Sequence, residues 1–241
     1  MQPASLVTIA AGSGVGKSTL VREMAYHLHQ KGHNVGMMML EETSKRTMQG
    51  LVGLHMNKNI VIDPTVASKE DIEFAFDDLT SDRDVYLYDP FGSTDLDTVK
   101  NRIMYMAKAL DCKVIFLDHV SILVSGLTGQ VHDERRLIDQ IMTELRVLVQ
   151  HTGICLVLVS HLKRPNSEAG HEGGAKVHLS QMRGSHALVQ LSDCCIGLEV
   201  DAEQPLSGIR NLVVLKNRFT GEVGPAGVLQ YTRETGRLMD A

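Results

Sequence analysis

Near the start of the chain, Ala11-Gly12-Ser13-Gly14-Val15-Gly16-Lys17-Ser18 combines three glycines with a lysine and a hydroxyl. Glycines let a backbone bend so that several N–H groups converge on one anion. The lysine after them can reach the outer phosphates of a nucleoside triphosphate, and the serine hydroxyl can bind Mg²⁺. Phosphate binding is therefore expected from Ser13, Gly14, Val15, Gly16, Lys17, Ser18 and Thr19, with Lys17 on the β- and γ-phosphates. A chance glycine-rich turn is the competing account. Context argues against it, because an apolar run over 5–10 precedes the loop and helical spacing over 17–30 follows. Strand, loop and helix in that order is the setting of a Walker A motif. The motif departs from its usual form at one position, where Ala11 stands in place of the first glycine.

Three other apolar runs end in groups that could complete a hydrolytic site. Val114-Ile115-Phe116-Leu117 ends in Asp118-His119, and a carboxylate there can hold Mg²⁺ together with Ser18. Taken alone the pattern is weak, since strands often end in an Asp that caps a helix. Strand 34–40 ends in Leu40-Glu41-Glu42. Glu41 could polarise the attacking water as general base, with Glu42 a rival and helix capping the plainer role for either. Leu156-Val157-Leu158-Val159 ends in Ser160-His161, where His161 either contacts the γ-phosphate or is structural, on even terms.

The elements that must carry these groups alternate. Strands are expected over 5–10, 34–40, 84–88, 113–117 and 153–160, with helices over 17–30, 43–55, 68–79, 95–110 and 133–151. Near-continuous apolar strands between helices predict a mainly parallel sheet covered on both faces. In such sheets ligands bind at the carboxyl ends of the strands, where the candidates lie. After Asp193 the pattern changes to strands over 194–200, 211–216, 226–231 and 237–239 joined by turns. That predicts an antiparallel extension at the C-terminal edge. The stretch 161–181 reads as one long glycine-rich loop, a length that usually marks function or disorder. A single domain over 1–241 accounts for the whole pattern.

Composition sets limits. Hydrophobic residues make up 43% and charged residues 22%, ordinary for a globular protein. With a net charge of −5, nucleic-acid binding would need a local basic patch. Trp is absent and aromatics are 4%, which argues against a base-stacking platform. Cys112, Cys155, Cys194 and Cys195 have no metal-ligand spacing and read as buried, reduced thiols. No run is long enough to span a membrane.

Taken in order, Gly12–Thr19, Met39-Leu40-Glu41-Glu42, Leu117-Asp118-His119, Ser160-His161-Leu162-Lys163, Arg183-Gly184-Ser185, Gln190-Leu191-Ser192-Asp193 and Lys216-Asn217-Arg218-Phe219-Thr220-Gly221 resemble the helicase domain of bacteriophage primase–helicases. These are DnaB-like ring helicases built on a RecA-like P-loop NTPase fold, and the resemblance spans nearly all of the chain. It implies Glu41 as catalytic base, Asp118 as Walker B acid and His161 as γ-phosphate sensor. Lys216 and Arg218 become a basic pair reaching the neighbouring subunit's nucleotide, with Arg218 as the finger. Tyr231 becomes the residue that packs on the nucleobase. ATP or dTTP as substrate, Mg²⁺, a homo-oligomeric, hexameric ring on single-stranded DNA, 5′–3′ movement and a cytoplasmic location, in the host cell if the gene is a phage's, are further implications. Two departures stand out. The family's second base-contacting arginine is replaced by Val200-Asp201, and neither the primase half nor the linker helix is expected in this sequence.

For DNA, Lys163, Arg164, His171, Lys176 and His178 follow the sensor in the glycine-rich stretch, with Arg183 beyond. Lys163, Arg164, Lys176 and Arg183 are the expected backbone contacts. Two other functions remain in view: a RecA- or KaiC-like oligomeric ATPase that does not unwind, and a small-molecule phosphotransferase. The latter would need an acceptor lid, and no arginine-rich lid is evident.

Overall fold

The structure, a computed structural model, describes residues 2–89, 95–125, 134–163, 170–182 and 186–241. In chain order the elements are β1 (Ser5–Ala11), α1 (Lys17–Gln30), β2 (Val35–Met39), α2 (Ser44–Met56), α3 (Lys69–Ser81), β3 (Val85–Leu87), α4 (Leu96–Lys108), β4 (Val114–Asp118), α5 (Ser121–Ser125), α6 (Glu134–Thr152), β5 (Cys155–His161), α7 (His186–Leu191), β6 (Cys194–Val200), β7 (Ile209–Asn217), β8 (Gly224–Tyr231) and β9 (Leu238–Asp240).

The nine strands of the described residues form one sheet in the order β3-β2-β4-β5-β1-β6-β7-β8-β9. From β3 to β6 neighbours run parallel, and from β6 to β9 they run antiparallel. The expected fold class is therefore observed, including the antiparallel C-terminal edge. Alternation along β1 shows why the sheet is covered on both faces. Leu6 and Ala10 pack into a core with α4, α6 and α7, while Val7, Ile9 and Ala11 pack into a second core with α1 and α2. A strand buried on both sides has no polar face, which is why it reads as an unbroken apolar run.

Local signals place the helix starts. Thr43 caps α2 by accepting from the Arg46 N–H, and Ser68 with Asp71 forms a capping box on α3. Two short helices, α5 and α7, have too few residues to display a period and escape sequence reading. The stretch expected as one open loop is more ordered than that over 170–182. Val177 and Met182 are buried, and Leu162 bridges Met182. Among the described residues no helix is long and apolar enough to cross a membrane.

Candidate active site

Strands β2, β4, β5 and β1 are consecutive neighbours in the sheet, so their carboxyl ends lie side by side. These ends carry Glu41, Asp118, His161 and the glycine loop. A cleft of ≈ 410 Å³ opens there, bordered by Gly14, Lys17, Ser18, Glu41 and His161 at one end and by Asn59, Tyr231 and Gly236 at the other. That size suits a small-ligand site, typically about 300–1,000 Å³.

Each loop glycine has its own reason. Gly14 and Gly16 take positive φ of 71° and 114°, which side chains with a Cβ resist. Gly12 lies so close to His171 that a Cβ there would stand 2.5 Å from the His171 Cβ. Ala11 sits where the motif usually has glycine, yet it is the last residue of β1 and fully buried in the core. An extended strand residue needs no glycine, so the departure leaves the loop intact. Helix α1 then starts with no side-chain cap and no acid in its first turn. Its free N–H groups and the positive end of its dipole face the cleft, a ready anion site.

The charged groups converge. The Lys17 ammonium donates to the carbonyls of Ala11 at 3.0 Å and Gly12 at 2.7 Å. Burial lowers its pKa, opposed by the fields of Asp118 and Glu41. Ser18 Oγ donates to Asp118 Oδ2 at 2.9 Å. Burial raises the Asp118 pKa, and the Glu41 charge adds to that rise. Asp118 Oδ1 is buried without a hydrogen-bond partner. An orphaned buried carboxylate oxygen beside a serine hydroxyl is a donor set that fits Mg²⁺.

The two neighbouring glutamates differ sharply. Glu42 is tied down by Arg22 at 2.9 Å and by the Thr47 hydroxyl at 2.8 Å, and its side chain is 12% exposed. Glu41 is 47% exposed and points into the cleft, with Oε1 2.7 Å from His119 Nε2 and 3.6 Å from His161 Nε2. Burial lowers the His161 pKa, aided by the positive charge of Lys17, so its ring is held towards the neutral form.

At the far end of the cleft Tyr231 closes β8, its hydroxyl 3.4 Å from Asn59 Nδ2. Across the β6–β7 ladder from Val200 stands Arg210, which donates to the Val15 carbonyl at 2.8 Å. Where the family's second base-contacting arginine is replaced by Val200-Asp201, the arginine on the next strand, Arg210, braces the P-loop. Sequence reading missed Arg22, Asn59 and Arg210, because none belongs to a recognisable motif.

Three of the basic residues outside the cleft, Lys216, Arg218 and Lys176, have intramolecular partners. Lys216 Nζ donates to the carbonyls of Val189 at 2.6 Å, Gln190 at 3.2 Å and Ser192 at 2.7 Å, capping the end of α7. Lys216, expected to act with Arg218 on a neighbouring subunit's nucleotide, is bound to these carbonyls in the single chain. Arg218 reaches the Gln190 carbonyl and Asp193, and its side chain remains 51% exposed. Asp193 also accepts from Arg146 and from the Leu6 N–H, which anchors this corner to β1. Lys163 is exposed. Lys176 is 67% exposed but paired with the buried Glu199 at 3.1 Å. His171, expected on a DNA-facing loop, is instead buried against Gly12, with ring nitrogens 3.2 Å and 3.3 Å from the Ala175 and Lys163 carbonyls. Arg164 and Arg183 lie outside the described residues.

Comparison with known proteins gives the family and the fold. The family described as "DnaB-like helicase C terminal domain" matches residues 1–240. The chain belongs to that family. It is 38% identical over 238 residues to the "DNA helicase/primase" of Enterobacteria phage T3, covering 97% of this chain and 42% of the relative. The chain therefore spans less than half the length of that curated relative. Among solved structures, one described as an ATPase domain superposes with a TM-score of 0.82 at 19% identity, covering 100% of this chain and 86% of the other. A DnaB-like replicative helicase, whose structure is described together with its interactions with primase, gives 0.81 at 19% identity, covering 100% and 58%. These likenesses establish the RecA-like helicase fold of this DnaB-like domain.

Proposed function

We propose that this DnaB-like domain is the motor of a DNA helicase. It binds ATP or dTTP on the P-loop, hydrolyses it with Mg²⁺ and moves 5′–3′ on single-stranded DNA as a homo-oligomeric ring, a hexamer by family resemblance. The observation that carries this reading is the convergence of Lys17, Asp118, Glu41 and His161 at four adjacent strand ends over one cleft. Family membership supplies the replicative setting.

In this reading the free N–H groups of α1 and the Lys17 ammonium hold the β- and γ-phosphates. Lys17 exchanges its two carbonyl acceptors for phosphate oxygens, so its hydrogen bonds are replaced as the nucleotide enters. Ser18 and Asp118 would hold Mg²⁺, which would supply positive charge against the phosphate oxygens. Glu41 accepts a proton from the water that attacks the γ-phosphorus, and the bond to the β-phosphate oxygen breaks. His161, held towards neutrality, donates an N–H to the γ-phosphate and loses that partner when phosphate leaves. Tyr231 offers its ring face to the nucleobase. Arg218 is the group that completes a neighbouring subunit's site. Its half-exposed guanidinium can leave Gln190 and Asp193, while Lys216 keeps the strand end fixed to α7. Lys163, Arg164, Lys176 and Arg183 are the candidate contacts to DNA phosphates.

Measuring hydrolysis with and without single-stranded DNA tests this reading. A several-fold stimulation is expected, followed by strand displacement on a forked duplex bearing a 5′ tail. Hydrolysis indifferent to DNA would overturn the motor, and stimulation without displacement would favour a RecA-like ATPase.

A further inference from the structure

Glu41 leaves the end of β2 with nearly half its side-chain surface exposed. An exposed glutamate samples several rotamers, yet a general base must be held within about half an ångström of its working geometry. Something has to fix it. Within the described residues two groups approach its carboxylate, both at Oε1. His119 Nε2 stands at 2.7 Å and His161 Nε2 at 3.6 Å. The first distance is a hydrogen bond and the second is not.

The two histidines also differ in freedom. His119 is 8% exposed and follows Asp118 directly, so its backbone is fixed by the same strand that carries the metal-binding acid. His161 borders the cleft and its side chain is 24% exposed. Their rings meet edge to face, centroids 4.2 Å apart, so the His161 ring packs against the side of His119. Among the described residues the His119 ring has no second hydrogen bond, because its Nδ1 is buried without a partner. A buried imidazole whose one hydrogen bond goes to the candidate base serves that base.

We infer that His119 is the positioning residue of the hydrolytic reaction, holding Glu41 Oε1 so that Oε2 faces the attacking water. The inference rests on the assignment of Glu41 as general base. It divides labour between the two histidines. His119 keeps Glu41 in place throughout the cycle, which leaves His161 free to turn to the γ-phosphate and away again without disturbing the base. It also explains why the acid at the end of β4 is followed by a polar residue in a buried position, where an apolar residue would cost less.

The test compares two amides of different reach. His119→Gln places an amide nitrogen near the position of the imidazole Nε2, whereas His119→Asn places one near Nδ1 and falls short of Glu41. Both amides are neutral and polar, but asparagine is the smaller by a methylene and leaves the larger void, so thermal melting is measured to separate a packing loss from a positioning loss. Steady-state hydrolysis and binding of a fluorescent nucleotide analogue are measured on the whole chain with single-stranded DNA, alongside thermal melting. His119→Asn is expected to lower kcat at least tenfold, with KM and analogue affinity within about threefold of the parent. His119→Gln should recover most of kcat. Equal kcat in both variants and the parent would overturn the inference, as would a loss expressed only in KM or in melting temperature. Glu41→Gln is run beside them. If it retains turnover, the base assignment itself is wrong. If it is inactive while His119→Asn is fully active, only the positioning role falls.

Discussion

The cleft and the C-terminal extension solve the problem of placing charge in opposite ways. At the cleft, Lys17 at the start of α1 and Asp118 at the end of β4 are buried, and each is held by residues of the same small region. In the extension, Arg218 is half exposed and held by a carbonyl and a carboxylate, partners that a stronger anion could displace. Buried charge surrounded by fixed dipoles is preorganised for chemistry and costs stability to keep. A loosely held guanidinium at the edge is suited to action in another molecule. Under the proposed function, the difference means that one chain builds most of its triphosphate site and gives Arg218 to a neighbour.

The largest effect expected on this contrast comes from the paired glutamates. Glu41→Gln should cut turnover a hundredfold or more, within the range ascribed to a missing general base, while analogue binding persists. Glu42→Gln breaks the Arg22 ion pair and should cost about 1–2 kcal/mol of stability, read as a fall of roughly 2–8 °C in melting temperature. Its turnover should stay within a few-fold of the parent. If the two phenotypes were exchanged, the strand register at the end of β2 would be wrong.

How far the sequence alone leads can be judged from particular residues. The P-loop, Asp118 and Glu41 are legible because each lies within a few positions of an apolar run whose end the fold must turn towards the ligand. Glu42 cannot be separated from Glu41 by sequence, since the choice depends on Arg22, twenty positions earlier and adjacent only in space. His171 differs from its expected place for a related reason, because it lies in a stretch read as an open loop yet packs against Gly12 of the P-loop, and Lys216 likewise meets a partner distant in sequence at the end of α7. The Gln190-Leu191-Ser192-Asp193 motif gains a physical meaning only in the folded chain. Its backbone carbonyls and the Asp193 carboxylate are the anchor of Lys216 and Arg218.

A middle-sized effect is expected from the residues that follow β5. Replacing Lys163 and Arg164 together by alanine should weaken single-stranded DNA binding for all sequences. The slope of log K against log salt should fall by roughly 0.7 for each DNA phosphate that the chain no longer neutralises. An unchanged slope would make these residues bystanders and move the DNA interface elsewhere.

The smallest effect concerns the core that both regions share. Burial pushes the Cys112 thiol up to about 12 and the Cys195 thiol up to about 11. Both thiols should therefore be protonated at pH 8 and alkylate slowly in the native chain but readily in denaturant. Stability follows with a definite sign. Folding raises these pKa values, so their contribution is complete below the ordinary thiol value and declines as pH rises towards 11–12. Melting temperature should fall gradually above about pH 9 on that account. A thiol that reacts quickly at pH 8 in the folded protein would contradict the burial.

The central claim is that the site in one chain is finished by Arg218 of another, and subunit mixing tests it most directly. Alone, Lys17→Ala should lose triphosphate binding and hydrolysis. Arg218→Ala should bind nucleotide but turn over about a thousandfold more slowly, the usual scale for a missing arginine finger. Assembled together, the two variants can pair an intact P-loop with an intact arginine. The account predicts that mixed assemblies recover hydrolysis well above the sum of the separate variants, with a maximum near equal proportions. Mixed assemblies that show no recovery would contradict it and return Arg218 to a structural role within its own chain.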